Sequence, residues 1–399
     1  MRAAFLASAA LIMAPLAHAQ TRVNDQYQLR GTTAVTDVQV GQAHDVGATA
    51  VASGNVVTAV SENTDATMAN TQHMDGDTNA TASATVWSAS GAVVTTSAAI
   101  GNGGTVTSAN GDLDLTSSQL AHGDANATTT VVGGDARDAA SSASASGNVG
   151  AVSIENAQAR IVADQDSTGD TIAVVEADHC CVAYQATAGA IASANNMTVG
   201  GDTATVLTDT RQSATGERVA ARTDLYAGYA GDASGNATAN ANTLTIDNQW
   251  GYVNARVSQT ATADVSADSF VTLGGDFVGF GSAGAYGVGN QATVSNVGSD
   301  TVLDVAQDNA GDVSSNAALA GEGGGMALAS SASYGNTFSA SLCAYCDTNV
   351  PSLNASAAQT NSGDVYATAR VHTPNAQTVG ATSTAIGNAA TFQTTGPGG

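Results

Sequence analysis

The chain has 399 residues and a formal net charge of −24, yet only 11% of it is charged and only 4% is aromatic. All ten basic residues are arginine, and Ala and Val make up most of the 43% hydrophobic share. That leaves too few bulky side chains for the two or three globular cores this length would ordinarily imply, and too few clustered cations for nucleic acid to be a partner. Disorder fits poorly too, because mean hydropathy is +0.01 and the acidic residues are dispersed rather than blocked.

In chain order, Arg2 is followed by an apolar stretch over residues 3–16 and then by Ala17-His18-Ala19 before Gln20. This pattern predicts a signal peptide over residues 1–19 and export to an oxidising compartment, at the outer membrane or cell surface. No later run reaches the ~18 apolar residues of a membrane-spanning helix.

From there the sequence repeats. A Gly-Asn pair or an Asn-containing substitute falls at Asn55, Asn102, Asn148, Asn195-Asn196, Asn242, Asn290, Asn336 and Asn388, with steps of 47, 46, 48, 46, 48, 46 and 52 residues when Asn196 is taken. Between these pairs lies Gln-x-x-x-Gly-Asp, ending at Asp77, Asp124, Asp170, Asp312 and Asp364, with variants at Gln212 and Gln259. The two signatures interleave at 22–25 residues over the first four units. Flanking stretches such as residues 78–86, TNATASATV, alternate with period 2, the mark of strands with one buried face.

These observations predict an all-β, elongated β-solenoid of about 16 rungs, two ~23-residue rungs per ~47-residue repeat. At ~4.8 Å per rung the rod is about 75 Å long. Its structural turns are predicted at Asn55, Asp77, Asn102, Asp124, Asn148, Asp170, Asn290, Asp312, Asn336, Asp364 and Asn388, since Gly and Asn accept positive φ at low cost. Aligned Asn and Gln side chains are expected to form hydrogen-bonded ladders. The domain reading is a signal peptide (1–19), a single repetitive solenoid (20–393) and a disordered tail (394–399). A β-sandwich array is the rival fold, but it would need larger aromatic or Leu-rich cores.

Little in the chain points to chemistry. Cys343 and Cys346 lie in the one long gap between signatures, and a local disulfide there is the expectation. Zinc on Asp178, His179, Cys180 and Cys181 is the sharper alternative, opposed by the difficulty of seating adjacent cysteines at two tetrahedral positions. The Gly-Asp turns match no calcium-binding loop, and turn formation is their expected role. His73 and His122 precede Gly-Asp turns and read as solvated. Nothing pairs a Ser or Cys nucleophile with a base, so no enzyme, metal or cofactor is expected.

The Gln-x-x-x-Gly-Asp and Gly-Asn signatures resemble the amyloid-forming curlin repeats of bacterial surface fibres. The signal peptide, the lysine-free Ala/Thr/Asn/Asp-rich region and the repeat together resemble the holdfast-anchoring protein D family of stalked alphaproteobacteria. This resemblance implies an outer-membrane-associated protein secreted through a dedicated lipoprotein pore. It would work with a smaller curlin-like anchor subunit to attach a polysaccharide adhesin to the cell, with no catalytic residues. The alternative is a self-assembling curlin-like fibre or surface-layer subunit.

Overall fold

The computed structural model describes residues 20–344 and 350–396, without the side chains of 276–278. The predicted signal peptide and Cys346 lie outside the described residues, so the Cys343–Cys346 pairing does too. The described chain is an all-β solenoid made of two parallel sheets, one of 8 strands and one of 11. Strand order in the 8-stranded sheet follows chain order, so each coil pairs only with the coils before and after it.

One coil shows the pattern. Gln158–Ser167 runs in the 8-stranded sheet, turns at Gly169-Asp170, and continues as Thr171–Asp202 in the other sheet. The long strand is not straight. It breaks register between Val182 and Gln185, and bends again at Ala194, which pairs with neither neighbour. The chain then reverses at Thr203, one of five described non-Gly residues with positive φ, into the next coil. Asn63, Asn110 and Asn156 occupy the same corner below it.

Register fixes the rise. Asn55 pairs with Asn102 and Gln72 with Gln119, so successive layers are one 47-residue unit apart. The two signatures therefore lie on opposite sides of one coil, which corrects the 23-residue rung. Eight coils at ~4.8 Å give a stack about 38 Å high, half the predicted length. The final step is 52 residues, and it pairs Thr301 directly with Leu353. Thr394 and Thr395, read from the sequence as the start of a tail, complete the last strand, Asn375–Thr395.

The signatures divide the interior. Ala186, Ala188, Ala190 and Ala192 pack with Ala173, Val175 and Ala177 in a narrow compartment filled mainly by Ala and Val. Ile161, Met197 and Val199 belong to a second, with Leu115, Ile154, Val206, Leu244 and Ile246 from other coils. Between the compartments run two amide ladders. Each Asn Nδ2 donates to the Asn Oδ1 one coil on, from Asn55 through Asn102, Asn148, Asn195, Asn242, Asn290 and Asn336 to Asn388, at 2.7–2.9 Å. Each Gln Nε2 donates the opposite way, to the Gln Oε1 one coil back, from Gln359 down to Gln26, also at 2.7–2.9 Å.

The second N–H of each amide crosses the interior. Asn148 Nδ2 donates to the Asp166 carbonyl, and Gln165 Nε2 to the Asn196 carbonyl, both within one turn of chain. A main-chain carbonyl can only accept, so these contacts set the orientation of each amide and hence the direction of each ladder. The Asn residues from Asn55 to Asn336 are thus buried corner posts inside continuous strands, not turns, Asn388 lies within the exposed last strand, and Asn195 rather than Asn196 is the ladder member. That choice makes both flanking steps 47 residues.

Asn148→Ala removes the donor to both Asn195 Oδ1 and the Asp166 carbonyl in a dry interior. These two acceptors and the Asn102 Nδ2 donor that loses Asn148 Oδ1, at about 1–3 kcal/mol each, predict a loss of roughly 3–9 kcal/mol. Asn388→Ala, at the exposed end of the ladder, is expected to cost under about 1 kcal/mol. Urea unfolding of the two variants checks the difference.

Candidate functional site: the outer corner of the coils

The Gly-Asp signatures are true turns, and their aspartates form a third ladder on the surface. Asp77 Oδ1 accepts the main-chain N–H of Asp124, Asp124 that of Asp170, Asp264 that of Asp312, and Asp312 that of Asp364, at 2.9–3.1 Å. The glycine before each Asp owes its place to crowding between coils. A Cβ on Gly169 would lie 2.2 Å from the Gly123 carbonyl oxygen, and one on Gly363 2.0 Å from that of Gly311. Asp45 and Asp300 do the same at other corners, and the N–H of Ala92 and of Ser352 respectively holds each carboxyl below the usual carboxylate range.

The long strands carry the surface relief. Where they leave their first straight segment, rings stand in solvent: Trp87 is 78% exposed, Tyr184 65%, Tyr226 43% and Tyr229 42%. Glycines at the same bend leave shallow furrows between them. One is lined by Thr85, Trp87, Val132 and Gly134. A second shares Val132 and continues through Glu176, Asp178, Asp224, Tyr226 and Phe270. A third, of about 810 Å³, lies across the bend between Arg137, Asp138, Tyr184, Tyr229 and Asp232.

The register places Gln39, Thr85, Val132, Asp178, Tyr226 and Thr272 in one column, so the first two furrows join across the stack. The arginines here are already paired: Arg137 with Asp138 at 2.8 Å, and Arg222 with Asp224 at 2.7 Å. Arg222 also lies 5.5 Å above the Phe270 ring. Burial pushes the nearby Asp268 carboxyl upward, opposed by Arg222. The corner thus offers flat apolar rings flanked by acceptors, with little free positive charge.

The residues of the alternative zinc reading, Asp178, His179, Cys180 and Cys181, do not converge. Alternation points Asp178 and Cys180 outward and His179 inward. Cys180 and Cys181 are thiols with Sγ atoms 2.7 Å apart, and Asp135 of the coil below joins them. The Cys180 contact, followed by burial, raises the Cys181 thiol to about 11. His179 instead fills the space above Gly133, where a Cβ would meet its ring at 2.3 Å. It is 1% exposed with Nδ1 unpartnered, and burial lowers its pKa below 6.5.

Stacked parallel coils with a furrowed, ring-bearing outer corner define a β-solenoid repeat protein. The profile of holdfast attachment protein D (HfaD) matches residues 40–312, and the chain belongs to this family, whose role is in holdfast attachment. No curated protein and no solved structure matches the chain. Among the described residues, no helix is long and apolar enough to cross a membrane.

His179 links this corner to stability. Because its folded pKa is depressed, the unfolded chain binds more protons below pH 6.5, and stability falls as pH drops through that value. His179→Leu is expected to flatten the slope of stability between pH 7.5 and 5.5, as read by urea titrations at several pH values.

Proposed function

We propose that this HfaD-family chain is a non-enzymatic surface protein that anchors an adhesive polysaccharide, the holdfast, to the cell envelope. Residues 1–19 direct its export to the outer membrane or cell surface. Other anchor subunits and an outer-membrane secretion lipoprotein are its protein partners, and the exopolysaccharide adhesin is its ligand. The observation that carries this reading is the furrowed corner, where Trp87, Tyr184, Tyr226 and Tyr229 stand on a scaffold held by inter-coil hydrogen bonds. Exposed rings stack on the apolar faces of sugar rings, while neighbouring carboxylates and carbonyls accept from hydroxyls. A net charge of −24 disfavours polyanions and favours a neutral or cationic glycan.

A second reading, a self-assembling curlin-like fibre or surface-layer subunit, is favoured by the two ends of the stack. The first coil turns Arg22, Asn24 and Gln26 inward, whereas the last coil turns in the half-buried Leu353, Ala355 and Ala357. Among the described residues, both end coils leave a strand edge unpaired, which templates added strands. Sedimentation of the mature chain tests it: a stable monomer at every concentration contradicts fibre formation.

For the anchor reading, deleting the gene is expected to release holdfast from cells, and unchanged retention contradicts it. Trp87→Ala and Tyr229→Ala are each expected to weaken glycan binding about ten-fold, equivalent to roughly 1.4 kcal/mol, without lowering the unfolding temperature. Affinity electrophoresis in holdfast polysaccharide reads the binding loss.

A further inference from the structure

His73 and His122, which read from sequence as solvated, come together at one turn of the stack. His73 is the penultimate residue of Ala66–Met74, and Asp75 follows it in the turn. One 47-residue step later, His122 occupies the place of Asp75 in the next coil. The amides of both residues donate to a carbonyl of the coil before, Asp75 to Gln28 and His122 to Met74, each at 2.8 Å.

Three donor atoms converge there. His73 Nε2 lies 2.9 Å from Asp75 Oδ1 and 3.0 Å from His122 Nδ1, and His122 Nδ1 lies 3.2 Å from Asp75 Oδ1. Hydrogen bonds cannot satisfy this triangle. Each of these ring nitrogens carries at most one proton and an ionised carboxylate carries none. If both imidazoles donate to Asp75, their N–H groups face one another at 3.0 Å with no acceptor between them. A cation at the centre takes a lone pair from all three.

We propose that His73, Asp75 and His122 form a zinc site that clamps the second coil to the third. Two imidazoles and one carboxylate suit a borderline transition ion better than calcium or magnesium, which favour all-oxygen shells. Zinc–ligand bonds of about 2.0–2.2 Å place neighbouring donors roughly 3–3.5 Å apart, which small side-chain rotations from the present spacing reach. Water completes the coordination on the open side, where Asp75 and His122 are each 42% exposed. The backbone is already fixed, since the Asn55 ladder amide holds the His73 carbonyl at 3.0 Å and the Tyr27 ring packs edge-on against His73. Neighbouring coils carry Leu120 and Thr168 at the places of His73 and His122, so the site belongs to these two coils.

Equilibrium dialysis of the mature chain (residues 20–399) against zinc, with metal analysis and imidazole nitrogen NMR, tests the proposal. One zinc per chain is expected, with the resonances of His73 and His122 moving and those of His44, His179 and His372 unchanged. His73→Leu and His122→Thr adopt the residues of neighbouring coils and so preserve the fold. Each is expected to bind zinc at least about 100-fold more weakly, beyond the usual cost of losing an outer-shell partner. Zinc should also raise the unfolding temperature of the natural chain and not that of either variant. Failure of the natural chain to bind zinc, equal uptake by the variants, or uptake without imidazole shifts each overturns the site.

Discussion

Every other feature of this solenoid depends on one constraint: an amide buried in a dry coil must find its donors and acceptors in the coils above and below. The Asn and Gln ladders meet it by repeating the same side chain at the same height in every coil. A slip of one residue would turn these amides to the outside and put their solvent-facing neighbours in the interior, so register is set by polar satisfaction as much as by apolar burial. The ladders also run in opposite directions, and their amide dipoles oppose one another rather than summing along the stack.

With register fixed in this way, the core does not need bulk. The compartment between the two arms of each long strand is narrow enough for Ala to fill, and larger Leu, Ile and Met residues gather only on the far side of the ladders. This resolves the mismatch between chain length and the supply of bulky side chains. Acidic residues fall outside, where turn aspartates accept main-chain N–H groups from the next coil and serve the backbone as well as solvation. The rings that would have made a conventional core instead stand on the outer corner.

The 47-residue period, the all-β solenoid and the amide ladders were legible in the sequence, because one residue per coil must match its neighbours. The coil length was not. Gly-Asn and Gly-Asp look like equivalent turns, yet Asn148 is a buried post within a strand while Asp170 lies at the surface of a real turn. Long strands such as Thr171–Asp202 wrap two bends without a turn signal, so half a coil passes for a whole one. The histidine cluster was hidden for the same reason. Asp75 and His122 share a place only once the 47-residue step is used as the stacking distance, and the 23-residue reading separates them. The furrowed corner is built from register breaks and scattered rings, which leave no local motif.

The most direct test is a distance across the stack. Spin labels at Ala69 and Asp304, in a chain whose cysteines are replaced by serine, sit on exposed positions of one register column five coils apart. At ~4.8 Å per coil, double electron–electron resonance should report a backbone separation of about 24 Å. A separation near 48 Å would mean that each coil holds only half the repeat, and would contradict both the 47-residue register and the ladders built on it.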